Sequence, residues 1–353
     1  MAVLGVLIAT GVLSMTLAAY QQPPAPMVVE VDKVKDNLYV LKGGGGNSAV
    51  FIGADGVTVV DTKNPGWGKP LLAKIQTLTS KPVVRIINTH THGDHVSGNV
   101  DFPASVDIVA HVNTKAGMEN MKPVTGLAAP APGPSIFQQN GGRGIAKRTF
   151  TDRMTIGNGA DEIDLYYFGR AHTNGDAWVV FKALRVLHAG DAFHTKDLPI
   201  MDANNGGSGV DFPGTLLKAY NGIKDIDIVI NGHNPTTTTM ADLKMQSDFI
   251  GEFVTFVQAA KKSGKTVDDV VATWKTPAKI HRVRHTGCRA REVGCPGDLG
   301  RDEVKKEGGG RRAGIRTEVG GRGSGRRSEI KGRIRGWTSV RGFPRPIQPT
   351  SPT

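Results

Sequence analysis

The chain has 353 residues and a formal net charge of +12, which would suit a partner with many negative charges, such as a nucleic acid. The charge is confined to one end. Residues 280–353 carry 18 Lys and Arg against 7 Asp and Glu, whereas the first 279 residues carry 26 against 25. The nearly neutral body argues against a nucleic-acid groove within it. The body also lacks cysteine, so its core must form without disulfides.

The N-terminal segment resembles an export signal. Residues 2–19 carry no charge and are mostly apolar, and the Pro-rich residues 21–26 then break any helix. Small residues before a polar exit are typical of a cleavable signal. We therefore expect residues 1–19 to be a signal peptide and the protein to be periplasmic or secreted, with no stable membrane association after cleavage. Because no Lys or Arg leads the segment, an uncleaved N-terminal anchor or a misplaced start codon is the alternative.

Apolar spacing along the body predicts helices over residues 67–78, 212–223 and 240–261. The Pro- and Gly-rich residues 123–143 are predicted to form a loop long enough to serve as a lid or a substrate wall. Four consecutive glycines at residues 43–46 are followed by a strand-like run and by no Lys-Ser/Thr pair, so they are not a phosphate loop. We interpret them as a flexible hairpin tip beside the active site.

The most informative segment reads His90-Thr-His92-Gly-Asp94-His95 and directly follows a strand-like run. Three histidines and an aspartate within six positions are costly to bury without a cation, so a polar surface turn explains them poorly. His90 and His92 lie on one side of an extended turn. Asp94 and His95 follow where the chain curls toward a helix, so the two pairs can face two different ions. Neutral imidazoles with one carboxylate suit zinc.

Three later strand-like runs also lead to side chains that can bind a metal: His172, Asp191 and His233. Strand ends followed by Gly-containing turns are how a layered α/β fold gathers distant residues into one cleft. A lone histidine after a strand is usually structural. The series of four such sites is much stronger evidence, and it indicates one shared cleft.

Five other polar residues carry weaker patterns. We expect His188 to be a buried neighbour of the site instead of a ligand. His194 is a weaker candidate for the cleft wall, and His111 is expected near the metal edge or on the surface. Asp61 and Asp176 are candidates for carboxylates that hold the free N–H groups of ligand imidazoles.

Basic residue usage changes abruptly near Lys279. The first 279 residues contain 6 Arg and 20 Lys, whereas residues 280–353 contain 15 Arg and 3 Lys. This tail is Gly-rich and lacks hydrophobic periodicity, so we expect it to be disordered. Either it is a basic arm that binds anionic polymers, or it is translated from a shifted reading frame. Because the usage of Arg and Lys changes at one point in the chain, we favour the shifted reading frame.

The order and spacing of the metal-capable residues resemble the metallo-β-lactamase superfamily over about residues 27–275, which would form the hydrolase domain. The resemblance implies an α/β (α+β) fold, a four-layer αβ/βα sandwich with metals at one edge of the paired sheets. It also implies that one ion is held by His90, His92 and His172, the other by Asp94, His95 and His233, with Asp191 bridging them.

The residue at the bridging position, Asp191, indicates which members of the superfamily this metal site resembles. Some zinc β-lactamases carry a cysteine where this chain has Asp191. The chain is instead similar to the glyoxalase II pattern, in which a carboxylate bridges two ions. This departure argues against a dedicated β-lactamase without excluding the activity.

We therefore expect an exported hydrolase with two zinc ions per chain, iron or manganese being the alternative metals. Its partner would be a small-molecule carbonyl substrate: an ester, lactone, thioester or β-lactam. Two cations that share one water generate a bridging hydroxide near neutral pH. The catalytic role assigned to Asp94 is to orient that hydroxide and relay its proton to the leaving group.

Three other functions compete with this one. The same metal set serves phosphodiesterases and nucleases, although no nucleic-acid partner is expected for the catalytic domain because its charge is nearly neutral. A nucleic-acid or surface-binding protein would act through the basic tail and would carry a closed structural metal site. A di-iron enzyme that consumes oxygen is the third. The sequence makes no prediction of oligomeric state.

Overall fold

The computed structural model describes residues 27–277, except for residues 130, 131 and 195. The expected signal peptide at residues 1–19 and the basic tail at residues 280–353 lie outside the described residues. Among the helices that are described, none combines the length and the apolar character needed to cross a membrane.

The first half of the described chain forms a seven-stranded sheet in which the strands follow sequence order. Its strands are β1 (Glu30–Lys35), β2 (Leu38–Lys42), β3 (Ser48–Ile52), β4 (Val57–Val60), β5 (Val83–Asn88), β6 (Asp107–His111) and β7 (Arg148–Phe150). The pairs from β1 to β4 are antiparallel, and those from β4 to β7 are parallel. The carboxyl ends of β4 to β7 therefore share one edge, which is where residues 90–95 leave the sheet.

The second half forms a six-stranded sheet in the order β13-β12-β11-β10-β9-β8. Its strands are β8 (Arg153–Ile156), β9 (Ile163–Tyr166), β10 (Trp178–Phe181), β11 (Val186–His188), β12 (Ile228–Ile230) and β13 (Thr237–Thr238). The β11–β12 pair is parallel, and the others are antiparallel. Because β9, β11 and β12 run in the same direction, their carboxyl ends share one edge. They lead there to His172, Asp191 and His233.

The helices are α1 (Gly68–Leu78), α2 (Gly93–Val96), α3 (Val112–Glu119), α4 (Ile136–Gln139), α5 (Phe212–Gly222), α6 (Met240–Lys262) and α7 (Val267–Thr273). The three predicted helices are confirmed as α1, α5 and α6, each within one residue at either end. A capping box explains where α6 begins: the Thr239 side chain accepts from the Asp242 N–H, and the Asp242 side chain accepts from the Thr239 N–H.

Three buried apolar clusters hold these elements in four layers. One lies between the outer face of the seven-stranded sheet and α1, where Leu71 packs with Ile86. The second fills the space between the sheets, where Val109 of one shares a cluster with Val179 of the other. The third packs Leu216 of α5 with α6 and the six-stranded sheet. Each fully buried side chain of this size contributes about 1.5–3 kcal/mol. The arrangement is the predicted αβ/βα sandwich.

The predicted loop at residues 123–143 is only partly a loop. Its second half contains α4, whose Phe137 is fully buried in the cluster beneath the seven-stranded sheet. A capping box at Ser135 begins this helix. Ile136 and Phe137 therefore belong to the core, whereas Gln138 and Gln139 are exposed. The described residues 123–129 remain available as a wall or lid.

Candidate metal centre

The turn after β5 is held by a buried carboxylate. Asp61, which directly follows β4, accepts hydrogen bonds from the backbone N–H of Thr89 at 2.8 Å and from its hydroxyl at 2.6 Å. The backbone of Asp61 lies in the left-handed region, with a φ of 63°. This turn places the His90 ring beside two other members of the motif, with ring centroids 4.7 Å from His92 and 4.2 Å from His95.

All seven residues predicted to bind metal lie together at the shared edge of the two sheets. The first group consists of His90, His92 and His172. Its potential ligand atoms lie within 4.8 Å of one another and of an Asp191 carboxylate oxygen, and all four residues are buried. The second group consists of Asp94, His95 and His233, which satisfy the same distance limit.

Asp191 connects the two groups. Its Oδ2 atom lies 3.6 Å from Nε2 of His172 in the first group and 3.4 Å from Nε2 of His233 in the second. Its Oδ1 atom lies 3.3 Å from Nε2 of His95. The glycine that follows β12 permits this approach, because a Cβ at Gly232 would lie 1.9 Å from Oδ1 of Asp191. One carboxylate thus faces imidazoles of both groups.

In these imidazoles, one ring nitrogen faces away from the cluster, and its hydrogen bond fixes the tautomer. The Thr89 hydroxyl gives its proton to Asp61, so its oxygen accepts from Nδ1 of His90 at 3.0 Å. His172 donates from Nδ1 to the carbonyl oxygen of Ile200 at 2.7 Å. The Nε2 lone pairs of both imidazoles therefore point into the cluster.

Carboxylates hold two further imidazoles in the same way. Nδ1 of His95 lies 2.7 Å from Oδ2 of Asp61, which agrees with the role expected for Asp61. Nε2 of His92 lies 2.7 Å from Oδ2 of Asp202, a residue that sequence reasoning missed. Asp202 follows no strand and belongs to no motif, and 110 positions separate it from its imidazole.

The donor set fits a divalent cation. Nδ1 of His92 and Nε2 of His172 are 2.9 Å apart, and both are left as acceptors by their outer hydrogen bonds, so the pair requires a cation or a shared proton. Among the described residues, Nε2 of His90 and of His95 and Oδ1 of Asp191 are buried without a hydrogen-bond partner. Leaving a buried polar atom unsatisfied costs about 1–3 kcal/mol, which a cation would offset.

The ionisation of the first group agrees with this fit. Burial holds the pKa of His90 well below its usual range and lowers the pKa of His172 to about 3. Both imidazoles are therefore neutral at physiological pH, with a lone pair available to a metal.

The second group carries opposite charges. Burial opposes the ionisation of Asp94, but the charge of His95 and the hydrogen bond from His233 outweigh it and lower the pKa of Asp94 to about 2. Burial likewise opposes a proton on His233, but the Asp191 and Asp94 carboxylates raise its pKa to about 9. These carboxylates thus need positive charge beside them, which a metal ion would provide.

The sequence pattern of the Metallo-beta-lactamase superfamily matches residues 41–233. This chain belongs to the metallo-β-lactamase superfamily. The predicted family is thereby confirmed, and the chain is an enzyme of a metal-dependent hydrolase superfamily. A divalent metal is the cofactor that this fold and its His/Asp groups imply.

Similar proteins differ in their named activities. The 2,4-dinitroanisole O-demethylase subunit alpha of Nocardioides sp. (strain JS1661) is 26% identical over 168 residues, which cover 46% of this chain and 46% of that protein. The chain therefore spans about half the length of this relative. A metallo-β-lactamase from Pontibacter korlensis has a TM-score of 0.51 at 18% identity, over 64% of this chain and 99% of its own. The DIM-1 metallo-β-lactamase has a TM-score of 0.50 at 18% identity, over 64% and 97%. Both structures show the fold alone.

The glycine run at residues 43–46 lies beside the site and is packed tightly against its neighbours. A Cβ at Gly46 would lie 2.2 Å from Cε1 of His95. The fully buried Lys63 donates from Nζ to the carbonyl oxygens of Gly46 at 2.7 Å and Leu41 at 2.8 Å. The run is the loop of the β2–β3 hairpin and lies beside the site, as predicted, and Gly46 packs directly against a ligand ring. Lys63 is a second residue that no sequence pattern indicated.

The remaining polar candidates have separate roles. His188 is buried and donates to the carbonyl oxygen of Asn47, as expected for a neighbour of the site. The ring of His194 lies 6.3 Å from that of His233 and is partly exposed, which places it beside the second group.

The structure decides between the two positions expected for His111, and it gives Asp176 a different role from the one expected. His111 is buried rather than on the surface, and it caps α3 by accepting from the Asn113 N–H. The role expected for Asp176 is wrong: it accepts hydrogen bonds from the N–H and hydroxyl of Thr173 and so braces the loop that carries His172, without holding an imidazole itself.

Proposed function

We propose that this chain is a hydrolase with two zinc ions that cleaves a small carbonyl substrate, namely an ester, lactone, thioester or β-lactam. The observation that carries the proposal is the position of Asp191, which lies within 3.6 Å of imidazole nitrogens of both groups. Separate donor sets on either side of one ionised carboxylate suit two cations better than one. Imidazole and carboxylate donors together suit zinc.

His90, His92 and His172 would hold one ion, Asp94, His95 and His233 the other, and Asp191 would contact both. Zinc bound in such a set supplies Lewis acidity, polarising a carbonyl oxygen and acidifying water. The chain's contribution is to present these donors with their tautomers fixed and to leave one side of the cluster open.

The open side lies at the second group. The side chains of Asp94 and His233 are 29% and 36% exposed, whereas those of His90 and His172 are 1% and 2% exposed. A substrate therefore approaches over Asp94. Because Asp94 stays ionised at neutral pH, it can accept a proton from the attacking water and deliver it to the leaving group.

We also propose the domain arrangement and location expected from the sequence. Residues 1–19 would direct export to the periplasm or beyond, and residues 27–275 would form the catalytic domain. All seven donor residues lie within that domain, which supports treating residues 280–353 as separate from it. The near-neutral charge of the first 279 residues supports a small-molecule partner in place of a nucleic acid.

A hydrolysis panel tests the proposed activity. Zinc-loaded protein is offered an aryl ester, a lactone, a thioester, a β-lactam and a phosphodiester. The panel also includes 2,4-dinitroanisole, because one relative is named as its O-demethylase. Turnover of at least one carbonyl substrate that is lost in Asp94→Asn is the expected result. Turnover of the phosphodiester alone, or of none of the carbonyl substrates, would contradict the proposal.

A further inference from the structure

Asp202 joins a ligand imidazole to a surface segment. Its carboxylate is fully buried, and Oδ2 accepts from Nε2 of His92 at 2.7 Å. The other oxygen, Oδ1, accepts from the backbone N–H of Thr125 at 2.9 Å and from the Thr125 hydroxyl at 2.8 Å. His92 and Thr125 are thus bound to opposite oxygens of one buried carboxylate.

Thr125 belongs to residues 122–127, hereafter the Thr125 segment, which is largely exposed; Leu127 is 57% exposed. Hydrogen bonds to the turn that contains Asp202 attach the segment to the protein. The Thr125 hydroxyl accepts from the Asn204 N–H at 2.9 Å, and the Pro123 carbonyl oxygen accepts from Nδ2 of Asn204 at 2.9 Å. The hydroxyl of Thr125 therefore donates to Asp202 and accepts from the neighbouring turn at the same time.

We propose that Thr125 is a positioning residue for the first metal group, and that the Thr125 segment and this group are energetically coupled through Asp202. The inference rests on the proposed metal-binding function. The Asp202 carboxylate sets the plane and tautomer of the His92 ring, and hence the direction of the Nδ1 lone pair that faces His172. The orientation of the carboxylate in turn depends on the donors bound to its other oxygen. The two hydrogen bonds from Thr125 are the shortest there, since the backbone N–H groups of Asn204 and Asn205 lie 3.1 and 3.4 Å from Oδ1.

Coupling between the Thr125 segment and the first metal group must act in both directions. If the docked segment favours metal binding, metal binding must favour the docked segment to the same extent. A substrate that touches the exposed segment would then influence the first group without contacting it. The Thr125 amide is a direct probe of docking, because its N–H donates from the segment to Oδ1 of Asp202.

The experiment compares Thr125→Val with Thr125→Ser in the full chain. Valine keeps the shape of threonine but removes the hydroxyl, whereas serine retains it. Stepwise zinc affinities are measured by competition with a chelator, and the visible spectrum of the cobalt-substituted protein reports ligand geometry. We expect Thr125→Val to weaken one zinc step about tenfold and to alter the cobalt spectrum, since removing support from a ligating imidazole typically costs 10–100-fold in affinity. Thr125→Ser should match wild type.

Hydrogen exchange of the wild-type protein provides a test that needs no variant. Zinc should slow exchange of the Thr125 amide relative to the metal-free protein. Unchanged exchange, or equal zinc affinities and cobalt spectra in Thr125→Val and wild type, would overturn the coupling. A wild-type chain that binds no zinc would overturn the proposed function as well, so the two failures are distinguishable.

Discussion

Lys63 is a fully buried lysine beside the metal centre, and its ionisation should make stability depend on pH. Burial lowers the pKa of Lys63 from 10.5 to about 7, although the nearby charges of Asp61 and Asp94 favour the ammonium form. In the unfolded chain its pKa returns to the ordinary value. Between pH 7 and pH 10.5 the unfolded state therefore binds one more proton than the folded state.

Stability must rise with pH wherever the unfolded state binds more protons. The contribution of Lys63 is at most about 1.4 kcal/mol per pH unit. Across the interval between the two pKa values of Lys63, 10.5 and about 7, this contribution adds up to roughly 5 kcal/mol in the free energy of unfolding. Lys63→Met removes the titrating group while keeping a chain of similar length. Wild type should therefore gain stability relative to this variant as pH rises.

The assay is urea unfolding of both proteins at pH 7, 8, 9 and 10, with excess chelator present so that metal binding does not contribute. Taking the difference between the two proteins at each pH cancels the other titrating groups. Lys244→Met is a matched control, because Lys244 lies on the partly exposed face of α6 and pairs with Asp248. Parallel pH profiles for wild type and Lys63→Met would refute the reasoning.

Three further predictions concern the site and the domain. Asp94→Asn should keep the fold and reduce kcat at least about 100-fold in steady-state assays, because an amide cannot accept the proton of water and binds a cation weakly; near-normal turnover would refute the role of Asp94. Asp61→Asn, which removes the charged partner of His95, should weaken zinc binding about 10–100-fold in chelator competition; wild-type affinity would show that this carboxylate does not support the site. Truncation after residue 279 should leave zinc content and specific activity unchanged, because all seven donors precede it. A folded but inactive truncated protein would show that the tail belongs to the active enzyme.

The sequence was sufficient to predict which residues converge. The motif at residues 90–95 is a local pattern that only a cation explains well, and it needs no knowledge of the fold. His172, Asp191 and His233 follow strands that turn out to run in the same direction, so their convergence follows from topology once a layered α/β fold is assumed. The fold and the convergence of all seven candidate donors were therefore predictable.

The residues that support these donors were not predictable. Asp202 reaches His92 across 110 positions, and Lys63 reaches the glycine run through its side chain, so neither contact leaves a local pattern. At Asp176 the sequence predicted a contact with an imidazole that the structure does not contain. The hydroxyl and N–H of Thr173, only three positions away, satisfy this carboxylate instead. Nearby donors of this kind compete effectively with distant imidazoles.

The metal content of the chain is the most direct test of the central claim. Metal-free protein is reloaded with zinc, passed through a desalting column and analysed by mass spectrometry for zinc per chain. Wild type should retain two ions. His233→Ala should retain one, with an affinity close to that of the wild-type site formed by His90, His92 and His172. A single ion per wild-type chain whose retention is indifferent to His233→Ala would contradict a two-metal centre.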